Sequence, residues 1–556
     1  MRRAMCLVVS IVSVSLIAIF VINIGNDVLA TNDDILLLDL PGQGLIRGSQ
    51  TNTAWTNQTV YQFLGVPFAE SPSGDLRFKA PVERSPWKNI RDATKYGQRC
   101  PELNTISDNH LNDDLEDCLN LCVYTKNFTA RRPVVFYVYG GGFYNGSSQD
   151  HPPNYLLEKD IVLVVTQYRV GALGWLSTQT QEMPGNSPVL DVMFALQWVQ
   201  MYIHLFGGDP EQVTVVGQSA GATVTGMLII SPKTPQGLFK RAVMQSGSVL
   251  ANWATNSKPL DLTKKVCNRL CSNCDQIADI ADCLREVDTV TLLKSTTDLS
   301  FSMTINDVYG VMPLMPIELL HNNTRCYPIM TGATKHDGSF VLATLYDGIK
   351  GAIGNMSLIT PREFLSKLFD ESHEVDPSGL AKNLITTLLY NATDLNGNDH
   401  KKLIPSYIDQ ASSMFIKSPI FTFARHLSKS QCPTYVYSFD YEGEWSRFGY
   451  EFGNEHYPFN GGVHHSNDNI YIFSTHNLNA RDTEISKKMI DLWTSFAIDG
   501  VPATPDAPTL MPLQTETGPY FHIDERISIG YDFLEELRVA VNDPRKEELV
   551  RPDVEF

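Results

Sequence analysis

The stretch Val215-Val216-Gly217-Gln218-Ser219-Ala220-Gly221-Ala222-Thr223 holds a serine between two glycines at G-x-S-x-G spacing. A serine hydroxyl becomes a useful nucleophile only when a base takes its proton and a set of donors holds the oxyanion that its attack creates. The motif by itself is weak, because at average glycine and serine usage it arises by chance about 0.2 times in a chain this long. Its flanks are more specific. Residues 212–216 are β-branched and mostly apolar, as in a buried strand, and residues 220–230 have a helical composition of Ala, Met and Leu among their β-branched residues. Strand, tight glycine turn and helix form the setting of a nucleophile elbow, where the serine sits on a strained turn and the helix N-terminus aims free N–H groups at a reacting carbonyl. A strand-to-helix turn without chemistry has the same residues, so the partners must decide.

Upstream, the β-rich run Val134-Val135-Phe136-Tyr137-Val138-Tyr139 ends in Gly140-Gly141-Gly142-Phe143. Three successive glycines after a strand expose backbone N–H groups with no side chain in the way, as an oxyanion requires; read alone, they fit a flexible loop equally well. Where an elbow serine is catalytic, the acid and the histidine follow it along the chain in that order.

The segment from Phe206 to Gly221 resembles, over its whole length, the active-site signature of the cholinesterase-like (type B) carboxylesterases. Further landmarks of that family recur in its order: residues 63–69 (FLGVPFA), 116–119 (EDCL), 139–143 (YGGGF), 168–171 (YRVG) and 245–248 (QSGS). The likeness runs from about Ile35 to the last turns of the chain. It implies one α/β-hydrolase domain over residues 31–556, with a large central, mostly parallel sheet and helices on both faces.

Position by position, the resemblance implies a catalytic set of Ser219, Asp337 and His465, with oxyanion donors in the N–H groups of Gly141, Gly142 and Ala220. Asp337 stands where most members have Glu. Of the two adjacent histidines, the offsets to Gly462, Asp468 and Phe473 select His465 and leave His464 as a loop residue. Ser246 falls where the family has a supporting serine near the triad. Trp253 falls at an acyl-pocket aromatic, a place that ordinary core packing explains nearly as well. Asn145 is expected close to the oxyanion wall. Asn120, Cys122 and Pro188 depart from the usual residues and put local packing in question. The activity implied is that of an extracellular serine carboxylesterase acting on small-molecule esters. The alternatives are a non-enzymatic cell-surface adhesion protein of the same fold, or a lipase or hormone esterase. No cofactor is implied, and no Cys/His spacing suggests a metal. With a histidine base of ordinary pKa, activity is expected to rise through roughly pH 6 to 7.

The elements that must position these groups sit in a chain of 556 residues, 43% hydrophobic and 19% charged, with no repeat or low-complexity linker to divide it. A net charge of −18 and the lack of a basic stripe exclude nucleic acid as a partner. Met1-Arg2-Arg3 precedes an uncharged run from Ala4 to Asn26, and Val28-Leu29-Ala30 offers small residues for cleavage. Residues 1–30 therefore read as a signal peptide, or as an uncleaved anchor that would hold the protein at the cell surface. Sequons at Asn57, Asn127, Asn322, Asn355 and Asn391 suit that compartment. Ten cysteines less Cys6 in the leader leave nine, so at least one is unpaired within the chain. The family resemblance implies a Cys100–Cys118 bridge. Cys283 is expected to pair with Cys271 or Cys274, which spacing cannot separate, so Cys267 stays unassigned. Cys326 and Cys432 each precede a strand leading to the acid or the histidine, and would bridge if those strands were parallel neighbours. Cys122, in an apolar run, reads as a buried free thiol.

Cholinesterases of this family carry Glu just before the nucleophile and a Trp in the first disulfide loop. Here the corresponding position is Gln218, and residues 101–117 contain no Phe, Tyr or Trp. A desolvated cation–π contact on Trp supplies roughly 2 kcal/mol or more, so a choline ester loses its main anchors, with only Phe340 left to offer an aromatic face. A neutral butyl ester is expected to be hydrolysed with higher kcat/KM than butyrylcholine; a measured preference for butyrylcholine would place a cation site elsewhere in the pocket.

Overall fold

Runs such as residues 134–138 (VVFYV), 162–165 (VLVV) and 213–216 (VTVV) show no apolar–polar alternation, the pattern of strands covered on both faces. In the computed structural model these runs are buried strands of one large sheet. The structure describes residues 28–31, 35–103, 114–354, 356–370, 395, 399–453, 456–505 and 507–556.

Among the described residues the main sheet has fourteen strands. Its centre is parallel: Val162–Thr166, Arg132–Val138, Gly208–Gln218, Arg241–Gln245, Ile329–Thr334, Thr434–Phe439 and Tyr520–Ile523 lie side by side in that spatial order. Antiparallel strands extend both edges, from Asn120–Thr125 outward to Val28–Thr31 on one side and Ser528–Gly530 on the other. Helices cover both faces, as an α/β-hydrolase fold requires, with Ala220–Ile230 and Ala480–Asp499 packed on the central strands.

Two features of this sheet build the site. After Arg132–Val138 the chain places its next strand on one side, Val162–Thr166, and the following one, Gly208–Gln218, on the other. The connections diverge there and leave a crevice at the strands' carboxyl ends. Gly140–Gly142 and Ser219 emerge into that crevice. The register then holds Gln218 opposite Gln245 and Gln245 opposite Gly332. Neighbouring strands therefore end nearly level, and their loops leave from one edge.

The departures noted in the sequence are accommodated locally. Pro188 occupies the first turn of helix Ser187–Tyr202, where proline removes no needed N–H. Asn120 is buried and donates to the carbonyls of Gln98 and Cys118 at 2.9 and 3.0 Å. The helical stretch Ser187–Phe206 is long and apolar enough to cross a membrane, yet most of it is buried in the core. The leader lies outside the described residues up to residue 27; Val28–Thr31, placed at its end by the sequence, pairs antiparallel with Ile35–Leu40. Asn57, Asn127 and Asn322 are exposed, whereas Asn355 and Asn391 lie outside the described residues.

The structure pairs Cys100 with Cys118, Cys267 with Cys274, Cys271 with Cys283, and Cys326 with Cys432. The last bridge joins the starts of the adjacent parallel strands Ile329–Thr334 and Thr434–Phe439. Cys122 is free and buried. Non-reducing peptide mapping of the denatured protein should recover these four cross-links with Cys122 alkylated; alkylation of Cys326 or Cys432, or a Cys274–Cys283 link, would contradict the arrangement.

Candidate active site

Ser219 has φ 54° and ψ −123°, a left-handed conformation that L-residues disfavour by about 1–3 kcal/mol. The neighbouring elements hold it there. Its N–H donates to the Gln245 carbonyl at 2.7 Å, continuing the ladder one residue past the strand, and its carbonyl accepts from Thr223 N–H at 3.0 Å to open helix Ala220–Ile230. The glycines of the motif are steric requirements of this turn. A Cβ on Gly217 would lie 2.3 Å from the Gly221 carbonyl oxygen, and one on Gly221 would lie 2.1 Å from that of Val138.

The elbow brings Ser219 Oγ to 2.9 Å from His465 Nε2. His465 Nδ1 lies 2.5 Å from Asp337 Oδ1. The second carboxylate oxygen, Oδ2, accepts from Ser246 Oγ at 2.6 Å and from the Thr334 N–H at 2.8 Å. Ser246, like Ser219, follows a strand end with positive φ, and its N–H donates to the Gly332 carbonyl at 2.8 Å. Burial alone would raise the pKa of Asp337, but the charge and hydrogen bond of His465 and the two donors outweigh it and hold the carboxyl below its ordinary range. For His465 burial favours the neutral ring, while Asp337 favours the imidazolium more strongly, so its pKa rises above the ordinary value.

Gly141 and Gly142 adopt φ of 128° and 58°, a backbone region that favours glycine. Among the described residues, the N–H groups of Gly141, Gly142 and Ala220 donate to no protein acceptor. Asn145 lies against this wall, its N–H donating to the Gly141 carbonyl at 3.0 Å. A serine hydroxyl, an oriented imidazole and unspent donors can together carry out acyl transfer.

A family model described as the carboxylesterase family matches residues 35–541. The chain belongs to the carboxylesterase family. Juvenile hormone esterase of Tribolium castaneum is 32% identical over 484 residues, covering 79% of this chain and 80% of that protein. Carboxylesterase 3B of Mus musculus is 30% identical over 484 residues, covering 83% and 82%. Glutactin of Drosophila melanogaster is 26% identical over 513 residues, which cover 87% of this chain; the chain spans only about half, 49%, of glutactin's length.

In this carboxylesterase-family chain, Ser219, His465 and Gly142 open into a cavity of about 650 Å³ whose walls also include Tyr144, Trp253 and Phe340. Trp253 leans on Phe143, with ring centroids 5.6 Å apart, and donates its indole N–H to the Phe415 carbonyl at 3.0 Å. The Phe340 ring stacks on His465 at 5.2 Å. His464 lies in a loop and is fully buried, 2.7 Å from Ser339 Oγ through Nδ1 and 3.6 Å from Glu451 through Nε2. Its imidazole is engaged by Ser339 and Glu451, and burial pushes its pKa down.

Other groups support the site through contacts that the sequence does not specify. Gln218 Nε2 donates to Ser466 Oγ at 2.6 Å and sits 3.4 Å from His465 Nε2. Asp468, fully buried below the histidine loop, accepts from Gln245 Nε2 at 2.8 Å and Tyr437 OH at 3.2 Å, and burial raises its pKa to about 6. Asp440, His522 and Glu536 bring ligand-type atoms within 4.8 Å of one another, but Ser438 bonds both carboxylates and Lys417 Nζ lies 3.5 Å from Glu536, so the cluster's charge is already met.

The electrostatics shift the expected pH dependence upward from the pH 6 to 7 read from an ordinary histidine. A base must be neutral to accept a proton, and a raised His465 pKa delays neutrality. The acidic limb of kcat/KM should therefore have its midpoint above the ordinary value of about 6.5; a midpoint below that value would contradict the Asp337–His465 coupling.

Proposed function

We propose that the protein is a secreted serine carboxylesterase that hydrolyses small-molecule carboxylic esters through an acyl-enzyme. The observation that carries this reading is the unbroken chain from buried Asp337 through His465 to Ser219 Oγ, ending at a cavity that Gly142 also lines. His465 Nε2 takes the Ser219 proton as Oγ attacks the ester carbonyl. The N–H groups of Gly141, Gly142 and Ala220 receive the developing oxyanion. His465 then gives its proton to the leaving alcohol, and a water deprotonated by the same nitrogen cleaves the acyl-enzyme, releasing the acid and restoring Ser219. Asp337 holds the tautomer and offsets the imidazolium; Ser246 and the Thr334 amide hold Asp337.

An adhesion role on the same fold would need none of these bonds, and their retention favours chemistry. Export is supported by the basic start and apolar run of residues 1–30, by exposed sequons at Asn57, Asn127 and Asn322, and by four disulfides, which persist in oxidising compartments. The remaining residues, 31–556, form the single hydrolase domain of this reading, and Trp253 is its acyl-pocket aromatic.

A fluorophosphonate probe should label the wild-type protein and leave Ser219→Ala unlabelled; equal labelling would end the proposal. His465→Ala should lower kcat by about a thousandfold or more. His464→Ala should spare the chemistry by comparison and lower the unfolding temperature, because it empties a buried, hydrogen-bonded site.

A further inference from the structure

Helix Ser339–Ile353 starts two residues after Asp337, so it leaves directly from the acid loop. Phe340, Thr344, Gly348 and Ala352 recur at every fourth position and all line the cavity that contains Ser219 and His465, with Val341 and Leu345 alongside. Residues four apart fall on one helix face, so the cavity runs along this helix and does not merely cross it. The opposite face, with Leu342, Ala343 and Tyr346, is packed into a hydrophobic cluster. Phe340 marks the reacting end, because its ring stacks on His465. From Phe340 to Ala352 the axis measures about 18 Å at a rise of about 1.5 Å per residue.

Glycine weakens a helix interior relative to other residues, so Gly348 in the middle of the stripe needs a reason. Packing does not supply one: a Cβ added there would meet nothing within 4 Å. What its missing side chain leaves is open cleft. Gly351, on the same helix and equally unobstructed, is not on the cavity wall.

We propose that this stripe is a length gauge: the cleft takes an extended hydrocarbon arm of the ester, laid along the helix from Ser219 toward Ala352, and Gly348 keeps the middle of that path open. The proposal rests on the reading of the site as an ester hydrolase. With carbon–carbon bonds of about 1.5 Å, a zigzag chain advances roughly 1.3 Å per bond, so the stripe matches an arm of about fourteen carbons. Each methylene that reaches the apolar wall leaves water, and selectivity should climb with chain length until the groove is filled.

The test measures kcat/KM on two series with the full-length protein: p-nitrophenyl esters of straight-chain acids, and acetates of straight-chain alcohols. The series that responds identifies the arm, acyl or alcohol. In that series the ratio of the twelve-carbon to the four-carbon substrate should fall at least about tenfold in Gly348→Leu, while Gly351→Leu keeps the wild-type ratio. Unchanged ratios in both variants, or equal losses in both, would overturn the gauge. A calorimetric titration that needs no turnover separates this from the catalytic reading. Ser219→Ala should bind dodecanoic acid or dodecanol more tightly than its four-carbon counterpart, and adding Gly348→Leu should abolish that preference. Length-dependent binding in a protein that cleaves no ester would sink the hydrolase reading and leave the gauge standing; binding indifferent to length would sink the gauge.

Discussion

The Asp337 carboxylate is a charge with no exposure to water, and the geometry of the site follows from satisfying it. An uncompensated carboxylate in such a place would either take up a proton or cost several kcal/mol. Here one oxygen faces the His465 imidazole and the other accepts two hydrogen bonds, from a side chain on the neighbouring loop and from the backbone three residues before it. Removing one partner of such a buried pair typically costs about 3–5 kcal/mol, so the same bonds that lock the loops together also fix the tautomer of His465. One cluster therefore joins the two loops and orients the histidine, with Asp337 Oδ1 2.5 Å from His465 Nδ1.

The sheet makes the cluster affordable in conformational terms. Because three adjacent parallel strands end nearly level, Ser219 and Ser246 each cap a strand by donating to the next strand's carbonyl, and Asp337 follows the third. The two left-handed serines are held by ladder-like hydrogen bonds on a rigid edge, which is how a strained turn persists in the native state. The strand-order reversal beside them supplies an open crevice without a dedicated loop, and the triglycine segment lines it from the neighbouring strand. Helix Ser339–Ile353 then leaves from the acid loop and lines the cavity into which Ser219 and His465 open.

Much of this was legible in the sequence where residue type reports a steric necessity. The glycines at 217 and 221 mark close backbone approaches, the triglycine after 139 marks exposed amides, and the unbroken apolar runs mark a sheet buried on both faces. The alternatives that spacing left open needed three dimensions. Cys271 and Cys274 differ by less than one helical turn, so only the packing of the helices Pro259–Leu270 and Ile277–Glu286 selects Cys271 for Cys283. Offsets to Gly462, Asp468 and Phe473 separate His465 from His464, but the partners of His464, Ser339 and Glu451, are visible only in the fold. The Thr334 amide is a backbone donor and has no residue signature. Gln218 and Ser466 meet across 248 positions. The cavity face of helix Ser339–Ile353 escapes a periodicity reading because the opposite side supplies the apolar stripe, while Thr344, Gly348 and Ala352 on the cavity side are exposed and carry no core pattern.

The most direct measurement is pre-steady-state hydrolysis of a p-nitrophenyl ester, with the quenched protein digested and its peptides weighed. A covalent route predicts a burst of p-nitrophenol approaching one equivalent per active site whenever deacylation is the slower step, together with an acyl mass on the peptide that carries Ser219. Turnover with the acyl group trapped on any other residue, or turnover that persists unchanged in Ser219→Ala, would contradict the assignment of this serine as the nucleophile.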